Sequence, residues 1–233
     1  MAQLITVTGN TGKTLFSFLL ATKLANKDKR VIIISTDSNA PSFLYAMPVE
    51  KKAEAKSLGK VLSLPIISPH QILENMISFS CSENIGCICY NVNESNNSYP
   101  DILESNLDTF FNHLNSLVDY IIVDTETRQN IIDQYCIHRC ESEICIASAD
   151  LKGLAYRQRY DNDKTIHVLY HCSPYNPFED IQRTYSKQVK YILPYCKQFG
   201  YIFNGGHFDD IVNIPKAYDK TLNKLIKEVI SNE

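Results

Sequence analysis

Residues 4–14 read LITVTGNTGKT. A run of aliphatic and β-branched residues passes directly into Gly9 and then, after two polar residues, into Gly12-Lys13-Thr14. The following stretch, TLFSFLLATKLA (14–25), carries the apolar spacing of a helix. A strand that ends in a glycine-containing loop and opens a helix through Gly-Lys-Thr is the setting in which backbone amides wrap phosphate oxygens at the positive end of a helix. Gly9, Asn10, Thr11, Gly12, Lys13 and Thr14 are therefore candidate phosphate-binding residues, with the amides from Asn10 to Thr14 as donors. Lys13 brings a full charge to the β- and γ-phosphates and is a candidate catalytic residue, and the Thr14 hydroxyl is a candidate Mg²⁺ ligand.

Working outward from this loop, short apolar runs alternate with longer periodic ones. VIIIST (31–36) completes an opening strand-helix-strand. VLSLPII (61–67) reads as a strand, followed by a helix from His70 to Phe79, the strand IGCICYNV (85–92), a helix over 102–117 and the strand DYIIVDT (119–125). The same alternation gives a helix over 130–140, strand EICIASA (143–149), a helix over 151–160 and strand TIHVLYH (165–171). A helix over 178–189, the short run YILPY (191–195) and a last helix over 215–230 complete it. Eight strand-like runs separated by helices predict an α/β fold, with a mostly parallel central sheet of about eight strands and helices on both faces. No Pro/Gly/Ser-rich linker divides the 233 residues, so one domain over 1–233 is expected. Ligands of such sheets bind at the carboxyl ends of the strands.

Two carboxylates fall at such ends. Asp37 follows VIIIST and Asp124 closes DYIIVD, and both would lie beside the phosphate loop if their strands flank the first. One carboxylate there can hold Mg²⁺ through its water shell, and another can orient the attacking water. A lone Asp after a strand reads more simply as a helix cap; two beside a Gly-Lys-Thr loop read as a nucleotide site. Asp124 is accordingly a candidate metal residue and Asp37 a candidate catalytic one.

Gly9 stands three residues before Gly12, and Val7 occupies the position where the common GxxxxGK(S/T) loop has its glycine. This GxxGKT spacing resembles the deviant Walker A loop, KGGxGK(S/T), of the ParA/MinD family of P-loop ATPases. Two positions depart from it: the leading signature Lys is Thr8 and the second Gly is Asn10. VIIISTD is similar to the family's Walker A′ strand, with Ser35 at its first Asp and Asp37 at its second. DYIIVDT resembles its Walker B strand, with Asp124 as the magnesium-side carboxylate and Glu126-Thr127 in place of the usual Pro-Pro. The strand and helix order matches from Leu4 to Ile230. The resemblance implies ATP and Mg²⁺ as cofactors, a nucleotide-dependent homodimer with ATP sandwiched between subunits, and a protein partner belonging to a positioned assembly. It places adenine contacts in the segments around His171 and around Pro194 and Tyr195, although the family's Asn-Arg pair is absent there.

In that family the signature Lys reaches across to the partner's phosphates, a charge that Thr8 cannot donate. Loss of a cation over developing negative charge slows turnover by ~10³–10⁵ where arginine fingers are concerned. The expectation is an ATP-binding switch with slow hydrolysis or none, serving plasmid or chromosome partition, a division site, or pilus or secretion machinery. The TadZ-like branch, with its imperfect nucleotide loops, fits this pattern. The alternative is a non-hydrolysing pseudo-ATPase scaffold that acts through protein contacts; a third reading is a related phosphate-loop enzyme such as a ligase or iron–sulfur reductase.

Composition narrows the partners. With 23 Lys and Arg against 26 Asp and Glu, the net charge is −3, which excludes a whole-molecule affinity for nucleic acid. Residues 1–150 hold 11 basic and 17 acidic side chains, and residues 151–233 hold 12 and 9, so any basic surface belongs to the last third. Arg157, Arg159, Lys187 and Lys190 are candidates for nonspecific DNA contact, with a solvated helix face as the simpler reading. The last helix is amphipathic, with Tyr218, Leu222, Leu225, Ile226 and Val229 on one face; packing on the sheet is preferred over membrane-surface binding. No secretory signal or spanning run is visible, so a cytoplasmic protein, peripheral at membrane or nucleoid, is expected. The eight cysteines lack paired CxxC spacing, and Cys87, Cys89 and Cys145 sit in apolar runs, as core residues do.

Overall fold

The computed structural model describes residues 1–45, 56–94, 98–127, 129–160, 164–171, 183, 189–206, 208 and 214–230. Among these, eight strands form one sheet: β1 (Gln3–Gly9), β2 (Val31–Ser35), β3 (Ile77–Phe79), β4 (Ser82–Cys89), β5 (Tyr120–Asp124), β6 (Ser142–Ser148), β7 (Thr165–Tyr170) and β8 (Tyr191–Leu193). The order across the sheet is β3-β4-β2-β5-β1-β6-β7-β8. Every pairing is parallel except that of β3 with β4.

Helices α1 (Lys13–Ala25), α2 (Leu58–Leu62), α3 (Pro69–Glu74), α4 (Glu104–Leu117), α5 (Ile131–Arg139), α6 (Leu151–Tyr160), α7 (Lys197–Gly205) and α8 (Lys216–Ile230) cover the two faces. Alternation along the central strands sorts their side chains. Ile5, Val7, Val31, Ile33, Tyr120 and Ile122 pack with α1 and α8 on one face, while Leu4, Ile32, Ile34, Ile121 and Val123 pack with α2, α4 and α5 on the other. Being buried on both sides is what gives these strands their uninterrupted apolar runs.

The number of strands agrees with the sequence reading, but one member differs. Residues 61–67 do not form a strand. The Ser57 hydroxyl accepts from the amides of Gly59 and Lys60, which caps α2 and carries Val61 and Leu62 into a helix; Pro65, a poor strand residue, follows. The expected helix from His70 to Phe79 stops at Glu74. A capping box between Ser68 and Gln71, with Pro69 in the first turn, starts α3, and Asn75 ends it. Ile77–Phe79 is then free to alternate inward and outward as the antiparallel edge strand β3.

The expected helix over 178–189 lies outside the described residues, apart from Arg183 and Val189. On α8, Tyr218, Leu222, Leu225, Ile226 and Val229 are all buried against the sheet, so the packing reading holds and the helix has no free apolar face for a membrane. Among the described residues no helix is long and apolar enough to cross a membrane. Cys87, Cys89 and Cys145 are buried, and none of the seven described cysteines is in a disulfide.

Candidate functional site

The loop of residues 9–12 leaves the carboxyl end of β1, the strand that sits between β5 and β6. Gly9 has φ 140°, and a Cβ there would lie 2.0 Å from the carbonyl oxygen of Ile146 on β6. Gly12 turns into α1 with φ 64°, over the ring of Tyr170. Both positions thus require glycine, one through close approach of two strands and the other through a left-handed turn. No side chain caps the first turn of α1, whose amides open toward the loop.

Toward β5 the loop carries reactive groups. The Thr14 hydroxyl donates to Asp124 Oδ2 at 2.9 Å. Lys13 Nζ donates to the Gly9 carbonyl and to the Thr127 hydroxyl, both at 3.1 Å. Asp124 is 3% exposed, and its Oδ1 is buried without a hydrogen-bond partner. Burial pushes this carboxyl up to about 6, against the pull of the Lys13 charge and the Thr14 hydrogen bond and with a further push from Asp37. A buried carboxylate oxygen with an open lone pair, beside a threonine hydroxyl and a lysine, fits the oxygen-ligand preference of Mg²⁺ next to a phosphate.

Asp37 is placed differently from the expectation. Its strand β2 does not flank β1, because β5 intervenes. The Asp37 carboxylate accepts from the amides of Asn39 and Ala40 at 3.0 and 2.9 Å, and so shapes its own loop. It remains close enough to raise the pKa of Asp124.

Toward β6 the loop is tied down. The Gly9 amide donates to the Tyr156 hydroxyl at 3.2 Å, and the Asn10 amide to the Ile146 carbonyl at 3.2 Å, so the Asn10 amide points into the sheet and not into the open cradle. The Asn10 side chain bridges both ways to Ser148, donating to its hydroxyl at 2.8 Å and accepting from its amide at 3.0 Å. Ser148 in turn donates to Asp150, which accepts from the Gly153 amide in α6. Thr8 is fully buried and donates to Glu143 Oε1 at 2.8 Å, while Thr165 donates to Oε2 at 2.9 Å. The residue at the expected signature-lysine position therefore faces a closed polar pocket between β1, β6 and β7.

His171, Pro194 and Tyr195 follow β7 and β8. The His171 amide donates to the Leu193 carbonyl at 3.0 Å, and partial burial lowers the pKa of its ring. Tyr195 is exposed. Of the candidate basic residues, Arg157 is buried, Arg159 is exposed, Lys190 is ion-paired with Glu228 at 2.5 Å, and Lys187 lies outside the described residues. Sequence reasoning passed over Tyr156, Ser148, Glu143 and Asp133, which hold the loop and its neighbours. Of these only Asp133 left a signal, as the Asp of an Asn-x-x-Asp capping box that begins at Asn130.

No family model matches the sequence, and no curated protein sequence does. Solved structures do. A ParA family ATPase from Chlorobium tepidum TLS superposes with a TM-score of 0.75 at 12% identity, covering 97% of this chain and 99% of that one. The MinC:MinD cell division protein complex from Aquifex aeolicus gives 0.73 at 14% identity, with 100% and 97% covered. A putative plasmid partition protein from Borrelia burgdorferi B31, bound to AMPPNP, gives 0.71 at 13% identity, with 100% and 99% covered. The fold is that of the ParA/MinD P-loop ATPases, over the full length of the chain.

Proposed function

We propose that this chain is a ParA/MinD-like nucleotide switch that binds Mg²⁺-ATP at the loop after β1, hydrolyses it slowly, and positions a larger assembly through a protein partner. The observation that carries the reading is the group formed by Lys13, Thr14 and Asp124 at the end of a strand flanked by β5 and β6. The likeness in fold to partition and division ATPases, one of them solved with AMPPNP, supports it.

In this reading the α1 amides and the Lys13 ammonium bind the phosphates. Thr14 and Asp124 hold Mg²⁺, which neutralises charge between the β- and γ-phosphates. Asp37, held by the amides of residues 39 and 40, stands on the same side and orients water. His171, Pro194 and Tyr195 border the base. Two copies close over the nucleotide.

A second reading, a scaffold that binds ATP without hydrolysing it, is favoured by one feature. Thr8 is locked to Glu143 inside the fold, so position 8 supplies no cation to a partner's phosphates.

Calorimetry with Mg²⁺-ATP, run with sizing and phosphate release on wild type and Lys13→Ala, tests both readings. Lys13-dependent binding with a shift to dimer is expected, and the release rate then separates ATPase from scaffold. Binding that survives Lys13→Ala undiminished overturns the nucleotide assignment.

A further inference from the structure

The loops after β2 and β5 meet at a buried carboxylate that has no part in the proposed phosphate chemistry. Asp133, in the first turn of α5, is 0% exposed. Its Oδ1 accepts from the Thr36 hydroxyl at 2.5 Å; its Oδ2 accepts from the amides of Asn130 at 3.0 Å and Glu126 at 3.2 Å. The Glu126 amide also donates to the Thr36 hydroxyl at 3.0 Å, and the Asn130 side-chain amide donates to the Thr36 carbonyl at 3.0 Å.

A capping box explains only the bond to Asn130, which stays within the first turn of α5. The bonds to Thr36 and Glu126 leave the helix and join two other segments. Each leads to the candidate site in one step. Thr36 precedes Asp37, whose carboxylate sets residues 39 and 40. Glu126 precedes Thr127, which accepts from Lys13 Nζ, and the Glu126 carboxylate accepts from the Asn39 side chain. Burying a carboxylate is unfavourable unless its lone pairs are filled, so the arrangement holds only while both loops supply their donors.

We propose that Asp133 is a positioning residue that locks the Asp37 loop and the Glu126–Thr127 loop into one unit, so that both respond together to the terminal phosphate of a bound nucleoside triphosphate. The inference rests on the nucleotide reading and deepens it by naming the device that regulates the site. The terminal phosphate competes with Gly9 and Thr127 for the Lys13 ammonium and so senses the locked loops. A diphosphate, held by the loop amides, does so much less.

The test measures binding of Mg²⁺-AMPPNP and Mg²⁺-ADP to the full chain by calorimetry, with thermal unfolding of the same samples. The variants are Asp133→Ala, Asp133→Asn and Thr36→Val, with Lys13→Ala in parallel. Asp133→Ala and Thr36→Val are expected to weaken AMPPNP about tenfold while changing ADP less than about twofold, the scale of one hydrogen bond to a charged group. Asp133→Asn can still accept from the two amides and donate to Thr36, so it is expected to stay within about threefold of wild type for both nucleotides. Thr36→Val leaves the α5 cap intact and carries the test if Asp133→Ala does not fold. Equal losses for both nucleotides, or none, in Asp133→Ala and Thr36→Val overturn the inference while Lys13-dependent binding keeps the nucleotide reading. Nucleotide binding that is absent, or indifferent to Lys13→Ala, overturns both.

Discussion

The phosphate loop has two flanks of opposite character. On the β5 side, Thr14 donates to Asp124, Lys13 donates to the Gly9 carbonyl and the Thr127 hydroxyl, and one Asp124 oxygen is left open. On the β6 side, Thr8 and the main chain and side chain of Asn10 are fastened to Glu143, Ile146 and Ser148. The first flank keeps one buried polar atom without a partner, Asp124 Oδ1, which the nucleotide reading proposed above fills with Mg²⁺. The second is arranged for rigidity, since its polar atoms are satisfied by the protein itself. The two positions that depart from the ParA/MinD loop pattern, 8 and 10, both lie on the rigid flank. The departures thus spare the flank that carries Lys13, Thr14 and Asp124 and fall on the flank fastened to β6.

The largest effect is expected where the flanks share a glycine. In Gly9→Ala the added Cβ meets the Ile146 carbonyl, and neither β1 nor β6 can move without breaking the sheet. A loss of at least about 3 kcal/mol is expected, read as a shift in the urea midpoint, with nucleotide binding abolished. A Gly9→Ala protein with wild-type stability would show that β1 and β6 do not approach so closely.

Asp124→Asn breaks the chemical flank alone. Removing the carboxylate is expected to weaken Mg²⁺-dependent nucleotide binding by roughly a hundredfold or more, judging from the 10–100-fold effects of outer-shell metal partners. Folding should respond in the opposite sense. The folded pKa of Asp124, about 6, and that of Asp133, about 7, both lie above the ordinary carboxylate value. The native state therefore binds more protons than the unfolded state between pH 4 and 7, and apo stability falls as pH rises through that window. Mg²⁺ needs the ionised carboxylate, so metal-nucleotide affinity rises over the same range. In Asp124→Asn the apo protein should be more stable than wild type at pH 8, with a shallower slope. An unchanged pH profile of the melting temperature would remove the burial argument for this carboxylate.

How far the sequence discloses this contrast depends on distance along the chain. The chemical flank is legible because its parts are motifs in short windows: Gly-Lys-Thr within 12–14, and an Asp closing an apolar run at 124. The rigid flank is not, because the bonds that fasten Thr8 and Asn10 span more than 130 residues, as with Thr8 to Glu143 and Asn10 to Ser148. Such pairs are set by the register of β1 against β6, which periodicity cannot give. Fold class was readable for the same local reason; the strand read at 61–67 came from weighting apolar content above the Ser57 cap and Pro65, and β3 was hidden because the helical reading ran past Asn75, which ends α3. Whether β2 flanks β1, the condition on which Asp37 was set beside the loop, was not legible, because strand order, unlike strand existence, is a tertiary property.

Position 8 tests whether the rigid flank can be turned back into a chemical one. Thr8→Lys restores the family's signature residue, but the side chain at 8 enters a filled pocket. Overpacking is expected to cost about 1–3 kcal/mol, with no rise in phosphate release. Thr8→Val, which removes the hydroxyl donor to the buried Glu143, should cost a similar amount. Faster ATP turnover in Thr8→Lys would mean that the lysine escapes to the surface and that the flank is less closed than its hydrogen bonds indicate.

The smallest effect is expected at Asn10, where side-chain and main-chain contributions can be separated. Asn10→Ala removes both bonds to Ser148 but leaves the Gly9 amide on Tyr156 and the Asn10 amide on the Ile146 carbonyl. The Ser148 amide loses a partner in a buried position, but the Ser148 hydroxyl keeps its bond to Asp150 and the rest of the loop stays fastened. The net loss is therefore expected to be about 1 kcal/mol, or a fall of about 2–4 °C in melting temperature for a chain of this length. Nucleotide affinity should stay within about threefold of wild type, because the groups on the chemical flank do not move. Asn10→Gly, which brings back the family's residue, should be slightly less stable than Asn10→Ala through added freedom in the unfolded chain. If instead Asn10→Gly binds nucleotide much more tightly than wild type, the Asn10–Ser148 bridge holds the loop away from its binding shape, and the rigid flank acts as a brake on the chemical one.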